Sequence, residues 1–294
     1  MKIYCNGTLI EEKQAVVSVY DHGFLYGMGL FETFRTYGGR PFLLDRHQRR
    51  LAAGCEQLGI AYRPQAGEWE GIIAELIQAN ESDLLGRDAY IRFTVTAGQD
   101  ILGLPSGEYN QPQVIVYVKP IPPKDEQLYR TGKPLQLLKL PRNTPEGAFR
   151  LKSLHYMNNI MAKQEMRGYP WAAGAEGLFT DSRGYLAEGI VSNLFFIREG
   201  TLRTPSLDTG ILAGVTRELV LELANGMGIH TEEGLYTWDD LLQAEEIFIT
   251  NSIQEIVPIT MLYDLQGNGV PASQGCAGAA TIKLMNIYEH HTSL

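Results

Sequence analysis

Little in this chain suits it to a metal, a membrane or a nucleic acid. It has only three cysteines, Cys5, Cys55 and Cys276, odd in number and far apart, so neither a disulfide framework nor a thiolate metal cluster is expected. The six histidines show no ligand spacing, and His290-His291 lies in a C-terminus expected to fray. No apolar run reaches the roughly 18 residues of a membrane span. The opening MKIYCNGTLIEEKQ has no apolar core of the kind that marks a secretory signal. Basic residues are outnumbered, 25 Lys and Arg against 34 Asp and Glu, and the formal charge of −9 offers no field to draw in a nucleic acid. There is no internal repeat and no low-complexity tract. With no disulfide framework or metal cluster expected, a reducing cytoplasm is the default compartment.

What is present is a mixture of strands and helices. Asn6-Gly7 between two short apolar runs is a hairpin signal, and Gly38-Gly39 is another. Gly23, Gly27 and Gly29 punctuate the segment between them. Strands are expected over 30–37, 89–96 and 114–119, then over 135–140, 175–180, 185–187, 193–198 and 246–250. Helices are expected over 47–58, with Asp45 as N-cap, and over 68–79, 155–166, 215–227 and 238–244. The proline-rich, charged stretch 120–133 marks a connection between two units. The expected division is therefore a smaller α/β domain (1–119), a linker (120–133) and a larger domain (134–294). Hairpin signals outweigh βαβ periodicity, which favours an α+β fold with antiparallel or mixed sheets.

Two residues stand out chemically. Lys152, in FRLKSLHYMNNIMAKQE, sits among Leu151, Ser153 and Leu154 at the mouth of the expected helix. A lysine amine becomes a nucleophile or base when partial burial lowers its affinity for the proton. Further along, Glu188 precedes Gly189 and the pair Ser192-Asn193 in LAEGIVSNLFF. Gly214-Val215-Thr216-Arg217 opens a helix, so the N–H groups of Val215 and Thr216 and the Thr216 hydroxyl could meet an anion there.

A lysine followed at this distance by Glu-Gly-x-x-Ser-Asn resembles the fold-type IV enzymes that use pyridoxal 5′-phosphate. These include branched-chain and D-amino-acid aminotransferases and 4-amino-4-deoxychorismate lyases. The resemblance runs from Asn6-Gly7 to Pro258. It implies that Lys152 holds the cofactor through its amine and then acts as the base, and that Glu188 keeps the cofactor's ring nitrogen protonated. It places Arg50 of the His47-x-x-Arg50-Leu51 pattern on the phosphate, together with Val215, Thr216, Asn251 and Ser252. It also makes Ser192, Asn193 and Leu212 cofactor-binding residues, with Leu212 packing on the ring.

Within the family, Asp21–Arg35 and Pro141–Asn159 resemble the bacterial lyases most. Phe31 stands where D-amino-acid aminotransferases carry tyrosine, and Ala97 where they carry arginine. The lyase branch implies β-elimination to p-aminobenzoate and pyruvate in folate biosynthesis; the alternative is an aminotransferase acting on branched-chain or D-amino acids. Candidates for the substrate pocket are Phe24, Tyr26, Phe31, Arg35, Arg92 and Tyr109, and the family implies a homodimer. His155 is read as a packing or hydrogen-bonding residue.

Overall fold

A computed structural model describes residues 1–105 and 107–293. By its internal contacts the chain falls into two compact units. One is Met1–Pro123 with Leu151–His155, and the other is Lys124–Arg150 with Tyr156–Leu294.

The first unit contains β1 (Lys2–Cys5), β2 (Thr8–Glu11), a short helix α1 (His22–Tyr26), β3 (Gly29–Tyr37), β4 (Arg40–Pro41), helices α2 (Leu44–Gln57), α3 (Glu68–Ala79) and α4 (Glu81–Leu84), β5 (Ala89–Thr96) and β6 (Gln113–Pro120). The six strands form one sheet in the order β2-β1-β6-β5-β3-β4, antiparallel throughout. Side chains alternate along each strand. Leu30 and Phe34 of β3, and Ile91, Phe93 and Val95 of β5, join Leu51, Trp69, Ile73 and Leu76 of the helices in one buried core. Trp69 stacks on Phe93 with ring centroids 3.8 Å apart. The intervening residues, Phe31, Thr33 and Arg35 on β3 and Arg92 and Thr94 on β5, share the other face.

Two local expectations differ from the structure. Asp45 is not the N-cap of α2. Leu43 takes a left-handed turn (φ 52°) as the chain leaves β4, so the helix starts at Leu44 and Asp45 instead faces Arg49 one turn on. Lys152 is not at the mouth of a helix, because α6 starts only at Met157. Residues 152–154 run extended beside β3: the Phe31 N–H donates to the Lys152 carbonyl at 2.9 Å, and the Leu154 N–H donates to the Gly29 carbonyl at 3.0 Å.

The second unit contains α5 (Glu126–Thr131), β7 (Lys133–Leu137), α6 (Met157–Glu165), β8 (Glu176–Thr180), β9 (Leu186–Gly189), β10 (Asn193–Arg198), β11 (Thr201–Pro205), α7 (Val215–Gly226), β12 (Thr231–Gly234), α8 (Trp238–Leu242), β13 (Glu246–Asn251), β14 (Glu255–Tyr263), β15 (Gly269–Pro271) and α9 (Ala279–Thr292). Its sheet runs β12-β11-β10-β13-β14-β7-β8-β9, with β15 on β14. The pairs β11–β12, β14–β7 and β7–β8 are parallel and the others antiparallel.

The α+β reading with antiparallel and mixed sheets is borne out. The stretch 120–133 holds a helix, α5, whose Asp125 side chain accepts from the N–H groups of Gln127 and Leu128. The expected fraying near His290-His291 is overturned by α9. Glu246 accepts from the Ala280 and Thr281 N–H groups and ties down the helix start, while Leu284 and Tyr288 are buried. Among the described residues no helix is long and apolar enough to cross a membrane, and no cluster of His, Cys, Asp or Glu could hold a metal.

Candidate active site

In the first unit the chain assembles a lysine-bearing face. Backbone pairing with β3 fixes the Lys152 main chain, and its Nζ lies 4.8 Å from the centre of the Phe31 ring. The Arg92 guanidinium lies 3.7 Å from the same ring and makes no hydrogen bond or ion pair among the described residues. Phe31 and Arg92, both read as substrate residues, are therefore together with Lys152. Arg35, on the same strand face, stacks on Tyr37 and lies 3.9 Å from Asp88. Tyr109 is buried, with its hydroxyl 2.9 Å from His22 Nδ1, and the Tyr26 hydroxyl accepts from the Gly103 N–H. Phe24 is exposed. His155 meets the Tyr26 carbonyl through Nε2 at 2.8 Å, a hydrogen-bonding part. Gly27 makes room for it: at φ 70°, an added Cβ would lie 2.3 Å from the imidazole.

Arg50 carries an unexpected partner. Its Nε and Nη2 donate to the two oxygens of Glu32 at 2.8 and 2.6 Å, and His47 Nδ1 lies 2.7 Å from Glu32 Oε2. Glu32 and His47 are each about 1% exposed. Burial pushes the Glu32 carboxyl up, but the Arg50 charge and the hydrogen bonds from His47 and Arg50 outweigh it and hold it at about 2. Burial pushes His47 below its ordinary value, against the pull of Glu32. An ionised carboxylate only accepts, so His47 carries its proton on Nδ1. The sequence did hold a signal: Glu32 is an acid on the core-facing side of an apolar strand, between Leu30 and Phe34, and such a group needs partners.

In the second unit the residues gather around Glu188 on β9. Arg142 Nε donates to Glu188 Oε1 at 2.8 Å, and Arg150 Nε lies 3.8 Å from the same oxygen. The Leu212 N–H donates to Oε2 at 3.0 Å. Asn193 donates to the Leu212 carbonyl at 2.9 Å and reaches Glu188 Oε2 at 3.5 Å. Arg142 is held in turn by Asn158 and Asn159 of α6 at 2.8 and 3.3 Å. Burial and the like charge of Arg142 pull Arg150 down to about 10, against Glu188. Sequence reading missed the roles of both arginines. Ser192 supports this turn indirectly, since its hydroxyl donates to Glu176 at 3.2 Å.

The start of α7 lies in the same unit. Its N-cap, Gly214, supplies no side-chain hydrogen bond to the first turn, and an added Cβ there would sit 2.0 Å from Asn193 Oδ1. The Thr216 and Ser252 hydroxyls lie 3.4 Å apart. The Asn251 side chain is taken up by its own turn, accepting from the Ile253 and Gln254 N–H groups. The Thr250 hydroxyl is buried without a hydrogen-bond partner among the described residues. These features fit a phosphorylated pyridine. Uncapped N–H groups of a twelve-residue helix and two hydroxyls suit a phosphate, and a buried carboxylate held by arginines suits a pyridinium nitrogen.

Known proteins resemble this one over nearly the full chain. The aminodeoxychorismate lyase of Bacillus subtilis (strain 168) is 42% identical over 287 residues, covering 98% of this chain and 93% of the relative. The D-alanine aminotransferase of Bacillus licheniformis is 32% identical over 278 residues, 92% of each. Among solved structures, the T.th. branched-chain amino acid aminotransferase with pyridoxamine 5′-phosphate superposes with a TM-score of 0.85 at 29% identity, covering 99% of this chain and 94% of that one. The family model for amino-transferase class IV matches residues 29–262, and the chain belongs to that family of pyridoxal 5′-phosphate enzymes.

Proposed function

We propose that this enzyme is a 4-amino-4-deoxychorismate lyase, forming p-aminobenzoate and pyruvate for folate synthesis. The observation that carries the reading is the 42% identity to a lyase along 98% of the chain. Phe31 and Ala97, standing where D-amino-acid aminotransferases carry tyrosine and arginine, support it.

Lys152, Glu188, Arg50, Thr216 and Ser252 would hold pyridoxal 5′-phosphate, and Leu212 would pack on its ring. When bound, the cofactor supplies an electron-withdrawing ring that takes up the electron pair left by a broken C–H bond. The Lys152 amine removes the proton from the substrate carbon bearing nitrogen. Glu188, which accepts from Arg142 Nε at 2.8 Å, would hold a proton on the ring nitrogen. The substrate's C–O bond to its enolpyruvyl group then breaks, pyruvate leaves, and the remaining ring becomes aromatic. Aromatisation supplies much of the driving force, so the protein has chiefly to position the substrate and move one proton. Arg92, stacked on Phe31 beside Lys152, receives a substrate carboxylate. By the family resemblance the enzyme works as a homodimer in the cytoplasm.

The second reading is an aminotransferase, favoured by the D-alanine aminotransferase at 32% identity. It uses the same Lys152 and Glu188. A coupled assay with freshly made aminodeoxychorismate separates the two. Equal release of pyruvate and p-aminobenzoate is expected. Amino transfer from D-alanine or leucine to an oxo acid, with neither product released, would replace the lyase reading.

A further inference from the structure

Thr94 lies within β5 at 6% exposure, and its Oγ1 has no hydrogen-bond partner among the described residues. An unpaired buried hydroxyl weakens a fold. Valine would fill the same volume and suit a strand at least as well, so the hydroxyl is retained at a cost to stability. Two other buried threonines of this sheet are served by the chain itself. Thr96 donates to Asp21 at 2.7 Å, and Thr36 donates to Asp88 at 3.1 Å.

The surroundings of Thr94 give its hydroxyl a use. Thr94 pairs directly with Phe31 across the β3–β5 ladder, so their side chains share one face. The Phe31 ring on that face carries Arg92 at 3.7 Å and Lys152 Nζ at 4.8 Å. An amine, an arginine without an anionic partner among the described residues and an unpaired hydroxyl donor thus gather at one aromatic ring. A carboxylate accepts hydrogen bonds from a guanidinium and a hydroxyl together. We propose that Thr94 is a specificity-determining residue whose hydroxyl donates to the substrate carboxylate that Arg92 receives. The proposal rests on the reading of Lys152 as the reacting amine.

Thr94→Val and Thr94→Ser, compared with the wild-type holoenzyme and with cofactor-free protein, test it. Thr94→Val should raise KM about tenfold with kcat nearly unchanged. It should also raise Tm by about 2 °C with or without cofactor, because the unpaired hydroxyl is gone. Thr94→Ser keeps the donor and should keep KM near wild type. An unchanged KM in Thr94→Val overturns the proposal and leaves the hydroxyl a local defect. Equal KM increases in the Ser and Val variants also overturn it, because the methyl would then be the cause. If Thr94→Val does not fold, Thr94→Ala against Thr94→Ser makes the same comparison. If wild type releases neither product, the lyase reading fails separately. Thr94 is then judged by the Kd of D-alanine and of leucine, read from the bound cofactor's absorption. A weaker Kd in Val but not in Ser upholds it, and no difference overturns it.

Discussion

Two buried carboxylates divide the work of this molecule, and they are held in different ways. Glu32 in the first unit is ringed by side chains alone, with Arg50 on both oxygens and His47 on one. Glu188 in the second unit takes one oxygen's worth of arginine and gives the other to a main-chain N–H and an amide. The first arrangement fixes the Arg50 guanidinium in one orientation. The second fixes the carboxylate and places two arginines beside it. Side-chain partners on both oxygens lock a buried acid and its arginine together, whereas a main-chain donor on one oxygen orients the acid from the fold itself.

The largest effect on this comparison belongs to the lysine. Lys152→Ala should abolish turnover and the cofactor's absorption band while circular dichroism stays native. Turnover at the wild-type rate would remove Lys152 from its role. Next is Glu188→Gln, which keeps the shape but loses the charge. It should lower kcat by about 100-fold, as loss of a preorganised charge does. Arg142→Met should follow it with a cofactor Kd about tenfold weaker, the scale of a lost supporting contact. If cofactor titration shows Arg142→Met unaffected, the arginine only braces α6.

Glu32→Gln should act on stability instead. Leaving Arg50 without its buried carboxylate costs about 3 kcal/mol, to be read by urea unfolding. The pH dependence follows from the same group. Because folding depresses the Glu32 carboxyl from 4.5 to about 2, its stabilisation is present above about pH 4.5 and is lost as pH falls toward 2. His47, also depressed, loses stability in the same direction below its ordinary value of 6.5. Glu32→Gln should flatten the acid limb of a stability–pH curve, and an unchanged limb would show that other carboxylates dominate it. The smallest effect is the control. Arg49 pairs with Asp45 in full solvent at 3.3 Å, so Arg49→Ala should cost no more than about 0.5 kcal/mol. A loss as large as that from Arg50→Ala would erase the distinction between the neighbouring arginines.

Much of the local structure was legible. The strands 89–96 and 193–198 and the helix 68–79 have the expected limits, since alternation and helical spacing are properties of adjacent residues. The start of α7 at Val215 was readable for the same reason. The Lys152 segment was misread as a helix mouth because its partners, Gly29 and Phe31, lie more than a hundred residues away and impose extended pairing. The start of α2 was misread because Leu43 adopts a left-handed turn that a leucine does not announce.

By itself the sequence determined which reactive groups the chain owns and the local elements that carry them, because propensity, periodicity and turn chemistry act over a few residues. Only the tertiary structure decided which charges those groups meet. Arg50 finds Glu32, Glu188 finds Arg142 and Arg150, and Arg92 meets the Phe31 ring through partners set by strand pairing and burial. Electrostatic character depends on distance and on exclusion of water, and folding sets both.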